Sequence, residues 1–248
     1  MIKIGVVGAT GQLGCEIIRY IDNSTQYQLY GATVSKANMN VGKKVSSVIS
    51  GVNNTTILSS DIAIGMSGVD VIIDCTNHNA FSKNLDNYLL LKKPLVIATT
   101  NIDDEAELVL RSYADIAPVC QSSNFSIFAN DLIKLLGSIN VFDSDNLDVY
   151  ITEIHGRKKV DSPSGTAMRL KKIIMDTMGV KADIHSIRAG SVAGFHEITF
   201  INSFNERLVI SLANGTRISY VHGIMLVCSK IISQEKGYYS LQDILNLR

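Results

Sequence analysis

The chain opens on a short apolar run rich in β-branched residues, Ile2-Lys3-Ile4-Gly5-Val6-Val7, which stops at Gly8 and has the pattern of a buried parallel strand. A helix is expected over residues 11–21 and a second strand near 28–34. The clearest later strand is Val69-Asp70-Val71-Ile72-Ile73-Asp74, which closes on turn-prone polar residues. A helical pattern across 80–91 leads into Pro94-Leu95-Val96-Ile97-Ala98-Thr99-Thr100, and another over 105–114 leads into a strand at 116–121. Strands that alternate with helices in this way predict an α/β fold built on a doubly wound parallel sheet.

After Asn124 the texture changes. A helical segment at 127–138 is followed by three strand-like stretches, 147–153, 195–203 and 207–212, which read as antiparallel. A helix over 167–178 lies between the first two, giving a smaller α+β domain with a mainly antiparallel sheet. The closing stretches 218–232 and 241–247 are helical and are expected to pack back on the first domain. The division expected is therefore 1–126 with 207–248 as one domain and 127–206 as the other. Internal repeats and low-complexity tracts are absent from the sequence.

Charge and composition narrow the function classes. Formal net charge is zero and charged residues make up 19%, so the chain lacks the basic excess of a phosphate-backbone binder, and nucleic acid is not expected as a partner. Cys15, Cys75, Cys120 and Cys228 form no C-x-x-C pair, which argues against a zinc site or a stapled secreted scaffold. No metal is expected. Met1 runs directly into the first strand without a basic leader, and no apolar run reaches membrane-spanning length. A cytoplasmic protein with no membrane partner is the expectation.

Gly8-Ala9-Thr10-Gly11-Gln12-Leu13-Gly14 follows the first strand and opens the first helix, the context that a Rossmann-type dinucleotide site requires. Glycines there let the backbone turn tightly and approach a pyrophosphate, whose charge the helix N-terminus stabilises. The plain alternative is an ordinary strand-to-helix turn. Where the second strand ends, Thr33-Val34-Ser35-Lys36 offers no acid for a ribose 2′-hydroxyl, and Lys36 with its neighbouring hydroxyl suits a 2′-phosphate. NADPH is the expected preferred cofactor, with NADH also accepted, although most lysines are simply solvated. Two further loops at strand C-termini, Cys75-Thr76-Asn77-His78 and Ala98-Thr99-Thr100-Asn101, can offer hydroxyls to ribose and nicotinamide; His78 reads better as a surface residue or helix cap.

The chemistry concentrates in Glu153-Ile154-His155-Gly156-Arg157-Lys158-Lys159-Val160-Asp161-Ser162-Pro163-Ser164-Gly165-Thr166, three cations and a histidine beside a Ser-Gly-Thr helix start. Ser164 and Thr166 carry hydroxyls, and the amides of Gly165 and Thr166 stand where a helix leaves its first donors unpaired. Lys159 adds a point charge, and His155 can supply a proton near neutral pH. A capped helix after a solvated basic loop would look much the same from composition alone.

The segment resembles the active-site signature of the 4-hydroxy-tetrahydrodipicolinate (dihydrodipicolinate) reductase family, approximately E-x-H-H-x-x-K-x-D-x-P-S-G-T-A. Glu153, His155, Lys159, Asp161, Pro163, Ser164, Gly165, Thr166 and Ala167 fall in register with it. The resemblance extends to the glycine loop, to Ala98-Thr99-Thr100, to Ser123-Asn124-Phe125-Ser126, to Arg207 and to the closing Leu241-Gln242-Asp243-Ile244-Leu245. It implies an NAD(P)H-dependent oxidoreductase of lysine and diaminopimelate biosynthesis that reduces a small cyclic dicarboxylate. His155 would be the proton donor and Lys159 its assistant and a carboxylate ligand. Ser164, Gly165 and Thr166 would hold the other carboxylate, with Thr100 nearby. Gly8, Ala9, Thr10, Gly11, Gln12, Leu13 and Gly14 would form the pyrophosphate loop, Lys36 would face the adenosine ribose, and Ala98, Thr99, Thr100, Ser123 and Phe125 would complete the cofactor site. The first domain would bind the dinucleotide, and the second would bind substrate and build a homotetramer through its sheet.

Three departures stand out. Gly156 replaces a second histidine, Gln12 replaces an arginine common in the family's glycine loop, and the stretch 181–196 reads as shortened, without an extra strand that many members carry. Two other functions compete with this one. Gly8-Ala9-Thr10-Gly11 also resembles the start of atypical short-chain dehydrogenases, which need Tyr-x-x-x-Lys; Tyr88-Leu89-Leu90-Leu91-Lys92 has that spacing but sits on an apolar helix and reads as core packing. An NADPH-binding sensor without catalysis is the other.

Overall fold

A computed structural model describes residues 1–139 and 146–245. The chain divides into two compact units, Met1–Phe125 with Tyr220–Arg248, and Ser126–Ser219.

In the first unit β1 (Ile2–Val7), α1 (Gln12–Asp22), β2 (Tyr27–Thr33), β3 (Leu58–Ser59), α2 (Ile62–Gly65), β4 (Val71–Asp74), α3 (His78–Leu91), β5 (Leu95–Ile97), α4 (Asp104–Tyr113) and β6 (Pro118–Gln121) follow one another. The chain returns to this unit through α7 (Ile218–Ile231), β11 (Gly237–Tyr239) and α8 (Leu241–Leu245). The seven strands form one parallel sheet in the order β11-β6-β5-β4-β1-β2-β3. The two-residue period of a strand sends neighbours to opposite faces. Ile73 accordingly joins a core with Ile17, Ile224 and Ile244, while Ile72 joins one with Phe81, Tyr88 and Leu110. Each such fully buried side chain contributes about 1.5–3 kcal/mol relative to exposure. Chain order reverses between β1 and β4, and in open parallel sheets ligands collect at that crevice, beyond the strand C-termini.

The second unit contains α5 (Ile127–Gly137), β7 (Leu147–His155), α6 (Gly165–Met178), β8 (Asp183–Arg188), β9 (Gly194–Asn202) and β10 (Arg207–Asn214). Its sheet order is β10-β9-β7-β8. One face packs Val149, Ile151, Ile198 and Phe200 against Leu132 and Leu136 of α5 and Leu170 and Ile174 of α6.

Several sequence expectations change here. A strand does exist in the stretch read as shortened: β8 has only a weak apolar alternation, so the sequence hides it, and it pairs parallel to β7, which makes the sheet mixed. The boundary expected at 207 moves to 220, because β10 pairs with β9 in the second sheet. Strands β3 and β11 are two and three residues long, too short to leave a periodic signature. The closing helix ends within the described residues at Leu245, and the expected positions 246 and 247 lie outside them. Among the described residues no helix is long and apolar enough to cross a membrane.

Candidate active site

Strand alternation builds the centre of the second unit. Val149, Ile151, Glu153 and His155 are the buried positions of β7, so the carboxylate and the imidazole share the face that carries the core. Register then sets Ser186 of β8 and His196 of β9 directly beside Glu153 on either side, and Arg188 beside His155. A polar row therefore crosses three strands at the end of an apolar face.

Glu153 is fully buried, and its carboxylate is heavily bonded. Oε1 accepts from Ser186 Oγ at 2.7 Å and Arg188 Nη2 at 2.9 Å, and the Ser164 amide donates to both oxygens at 3.1 and 3.2 Å. Burial raises the carboxyl, but the hydrogen bonds of Ser164, Ser186 and Arg188 outweigh it and bring it down to about 2. Oε2 stands 3.4 Å from His155 Nε2 and 3.9 Å from His196 Nε2. Both imidazoles are pushed toward the neutral form. Burial lowers His155 first and Lys159 second, and burial followed by the charge of His155 takes His196 to about 4.

The segment from 156 to 166 lies over this row. Gly156 donates to Val192 O at 2.9 Å, and a Cβ at that position would find only ordinary contacts at 3.4 Å, so the glycine is not demanded by packing. Lys159 Nζ pairs with Asp161 at 2.8 Å. Ser164 is the N-cap of α6 and accepts from the Ala167 amide, while its Oγ meets His196 Nε2 at 3.2 Å. Ser164 is buried, 2% exposed, with its amide on Glu153, and the exposed residue at the helix start is Gly165, whose amide could face an anion. Glu153, His155 and His196 are metal-ligand types whose atoms lie within 4.8 Å of one another. Arg188 on the same carboxylate and the charge of Lys159 on both rings oppose a further cation and favour an anion.

In the first unit a cleft of about 920 Å³ opens at the β1/β4 crevice. Gly8, Thr10 and Gly11 line it from the glycine loop, Ser35, Lys36 and Asn38 from beyond β2, and Thr76 and Asn77 from beyond β4. Gly8 has φ of +88°, a backbone state that favours glycine. A Cβ on Gly14 would stand 2.4 Å from Gly8 O, so helix and turn meet closer than any side chain allows. Gly11 caps α1 without a side-chain bond to its first amides. A close turn, an uncapped helix start and a cleft of this size fit a dinucleotide; Gly8, Thr10 and Gly11 could hold its pyrophosphate, and Lys36 could meet its ribose end.

The remaining predicted positions lie outside that lining. Ala9 and Gly14 are buried, Leu13 packs on the core, and Gln12 is exposed. Ala98 donates its amide to Asp74 O, Thr99 is 2% exposed with Oγ1 on Asp74 at 2.6 Å, and Thr100 and Ser123 are exposed. Phe125 is buried in the core. Four residues escaped the sequence reading: Asp74, Arg188, His196, and Asp61, an acid that enters the cleft from the start of α2. Asp74 could have been suspected as a charged residue ending an all-apolar strand; Arg188 and His196 are joined to the site only through strand pairing, and Asp61 through the placement of α2 at the cleft. Tyr88 donates to Asp74 inside the core, and Lys92 is the left-handed C-cap of α3, so the Tyr-x-x-x-Lys spacing is structural.

Comparison with known proteins covers both units of the chain. The profile of the N-terminus of dihydrodipicolinate reductase matches residues 2–125, and that of its C-terminus matches residues 129–245. Similar curated proteins include the 4-hydroxy-tetrahydrodipicolinate reductase of Syntrophus aciditrophicus (strain SB), 28% identical over 268 residues, and that of Geotalea uraniireducens (strain Rf4), 31% identical over 273 residues. Both alignments span all of this chain and all of the relative. Among solved structures, the dipicolinate-bound dihydrodipicolinate reductase of Paenisporosarcina sp. TG-14 superposes with a TM-score of 0.75 at 19% identity, covering 98% of each chain. A probable dehydrogenase from Thermotoga maritima shares the fold with a TM-score of 0.64 at 13% identity, over 98% of this chain and 92% of its own. The chain belongs to the dihydrodipicolinate reductase family.

Proposed function

We propose that this protein reduces 4-hydroxy-tetrahydrodipicolinate to tetrahydrodipicolinate with NAD(P)H, as an oxidoreductase of lysine and diaminopimelate biosynthesis. The observation that carries the reading is that one buried carboxylate, Glu153, touches the proposed proton donor and also fixes the start of α6, where an anion is to be held. The 4-hydroxyl leaves as water, which leaves a carbon–carbon double bond conjugated with the ring imine, and a reduced nicotinamide would supply the hydride that adds to it. His155 delivers a proton to the carbon next to the one reduced, Lys159 turns its remaining N–H donors to a carboxylate, and the α6 N-terminus with Gly165 and Thr166 takes the second carboxylate. A dianionic ligand offsets the field of Lys159, which favours the protonated, acid-competent form of His155.

The finer reading is NADPH in preference to NADH, because Lys36 and Ser35 line the cleft beyond β2, where a 2′-phosphate would sit. Asp61 lines the same cleft, but its Oδ1 accepts from the Ile64 amide at 3.0 Å as the cap of α2. A cytoplasmic homotetramer completes the proposal. Its support is the sheet face away from the helices, where Tyr150, Ile154 and Phe195 are only half-buried and Ile187 and Val209 are exposed.

The test follows the loss of reduced-nicotinamide absorbance when 4-hydroxy-tetrahydrodipicolinate is generated in the cuvette with either cofactor. Turnover is expected with both and faster at low NADPH. Cofactor binding without turnover would instead identify a sensor.

A further inference from the structure

Arg188 belongs to none of the roles so far assigned, yet it joins the two parts of the substrate site. It ends β8 with a side chain 19% exposed. Nη2 donates both to Glu153 Oε1 at 2.9 Å and to the carbonyl of Asp161 at 2.6 Å, and Nη1 donates to its neighbour's carbonyl, Ile187 O, at 2.9 Å. The Glu153 end is rigid: that carboxylate lies within the sheet and is held by Ser164 and Ser186 as well. The Asp161 end is not. Residues 157, 158 and 160–163 are exposed, and Val160 is 97% exposed, so this stretch has little apolar burial to order it. Its hydrogen bonds outside Arg188 include Arg157 N to Gly190 O at 3.1 Å, Lys159 N to Gly156 O at 3.0 Å and the Lys159–Asp161 ion pair.

We propose that Arg188 is a positioning residue for substrate binding, a clamp that uses the buried Glu153 as its anchor and the Asp161 carbonyl as its grip to hold Lys159 over the site. The guanidinium suits this task because Nη2 makes both contacts while Nη1 is fixed on Ile187 O, so its orientation is set at a third point; an ammonium lacks that second nitrogen and holds the two acceptors less firmly. The order of contacts is Glu153, Arg188, Asp161, Lys159, so the clamp acts on Lys159 through Asp161 and touches neither substrate nor cofactor. It rests on the function proposed above only in taking Lys159 as a ligand of a carboxylate.

The test compares Arg188→Lys and Arg188→Met with the unaltered full chain, using dipicolinate as the probe, in calorimetry and in amide hydrogen exchange across residues 157–162. In both variants exchange in that segment is expected to be at least about tenfold faster and dipicolinate to bind about tenfold more weakly, the effect of losing a charged hydrogen bond. With substrate, KM rises more than kcat falls, and NADPH affinity stays within about twofold because the dinucleotide cleft belongs to the other unit. If Arg188→Met does not fold, Arg188→Lys decides, since it keeps a cation for Glu153. Exchange unchanged in 157–162, or dipicolinate affinity within about twofold of the unaltered protein, overturns the clamp. Absence of turnover in the unaltered protein overturns the proposed function and leaves the exchange result to judge the clamp alone.

Discussion

His155 and His196 meet edge to face, with ring centroids 5.3 Å apart and planes at 75°, above a carboxylate that is fully buried. Each ring is driven toward neutrality, so the pair ties stability to pH. His196 is brought from the ordinary 6.5 to about 4, which means the unfolded chain binds the proton more tightly. Stability conferred by neutral His196 is full above about pH 6.5 and is lost as pH falls toward 4, by about 3 kcal/mol. Glu153, held at about 2, adds a second loss of similar size between about pH 4.5 and 2. Urea unfolding of the second unit from pH 8 to 4 should show the first step, and the step should shrink in His196→Gln. A midpoint that stays level down to pH 4.5 rules this out.

His155→Gln is expected to lower turnover by roughly two orders of magnitude, the contribution of a positioned general acid, while NADPH affinity stays nearly unchanged. Single-turnover absorbance and direct cofactor titration measure the two quantities separately. Normal turnover removes His155 from the mechanism.

Lys159→Met separates two roles of one cation. Losing a carboxylate ligand raises KM about tenfold or more. Losing its field on His155 raises that imidazole's pKa, so the limb on which kcat/KM falls with rising pH moves to higher pH. A higher KM with an unmoved high-pH limb would leave Lys159 as a ligand alone.

Lys36→Ala should weaken NADPH by about tenfold and leave NADH within about twofold, because a 2′-phosphate alone needs the cation. Equal loss for both cofactors would make Lys36 a general contributor to the cleft potential, and no loss would return it to the solvated surface.

The architecture was legible wherever one periodicity persisted. Buried strands such as Val71–Asp74 and amphipathic helices such as Gln12–Asp22 declare themselves in their own residues. So did the glycine turn, since the closeness of Gly14 to Gly8 O is a local demand of strand, turn and helix. The signature segment announced His155, Lys159 and Ser164 by their types, but not their relationships. Ser164, expected at the ligand, also caps α6 and meets His196, two contacts that its type alone does not declare. His196 and Arg188 enter through strand register alone, and β8, which carries Arg188, is too polar to read as a strand. Pairing across forty residues leaves no mark in a window of ten.

Asp74 shows the same limit in the first unit and yields the last prediction. It ends β4 with its carboxylate at 0% exposure and accepts from the Thr76 amide at 2.9 Å, Thr76 Oγ1 at 2.7 Å, Thr99 Oγ1 at 2.6 Å and the Tyr88 hydroxyl. Those donors come from α3 and from the loops after β4 and β5, so one side chain ties together backbone at the C-terminal edge of the sheet. Asn at this position keeps an oxygen for Thr76 and Thr99 but turns an amide N–H to the Tyr88 hydroxyl, which must then accept instead of donate, and it replaces charge-assisted bonds by neutral ones in a dry site, at a cost of about 1–3 kcal/mol. Asp74→Asn should therefore lower the stability of the first unit by that amount and weaken both NADPH and NADH, since Thr76 lines the dinucleotide cleft. Tyr88→Phe removes a single donor and leaves the loops tied through Thr76 and Thr99, so it should lower stability while cofactor affinity stays within about twofold. Equal loss of affinity in the two variants would mean that core stability, rather than the tethering of the Thr76 and Thr99 loops, sets cofactor binding.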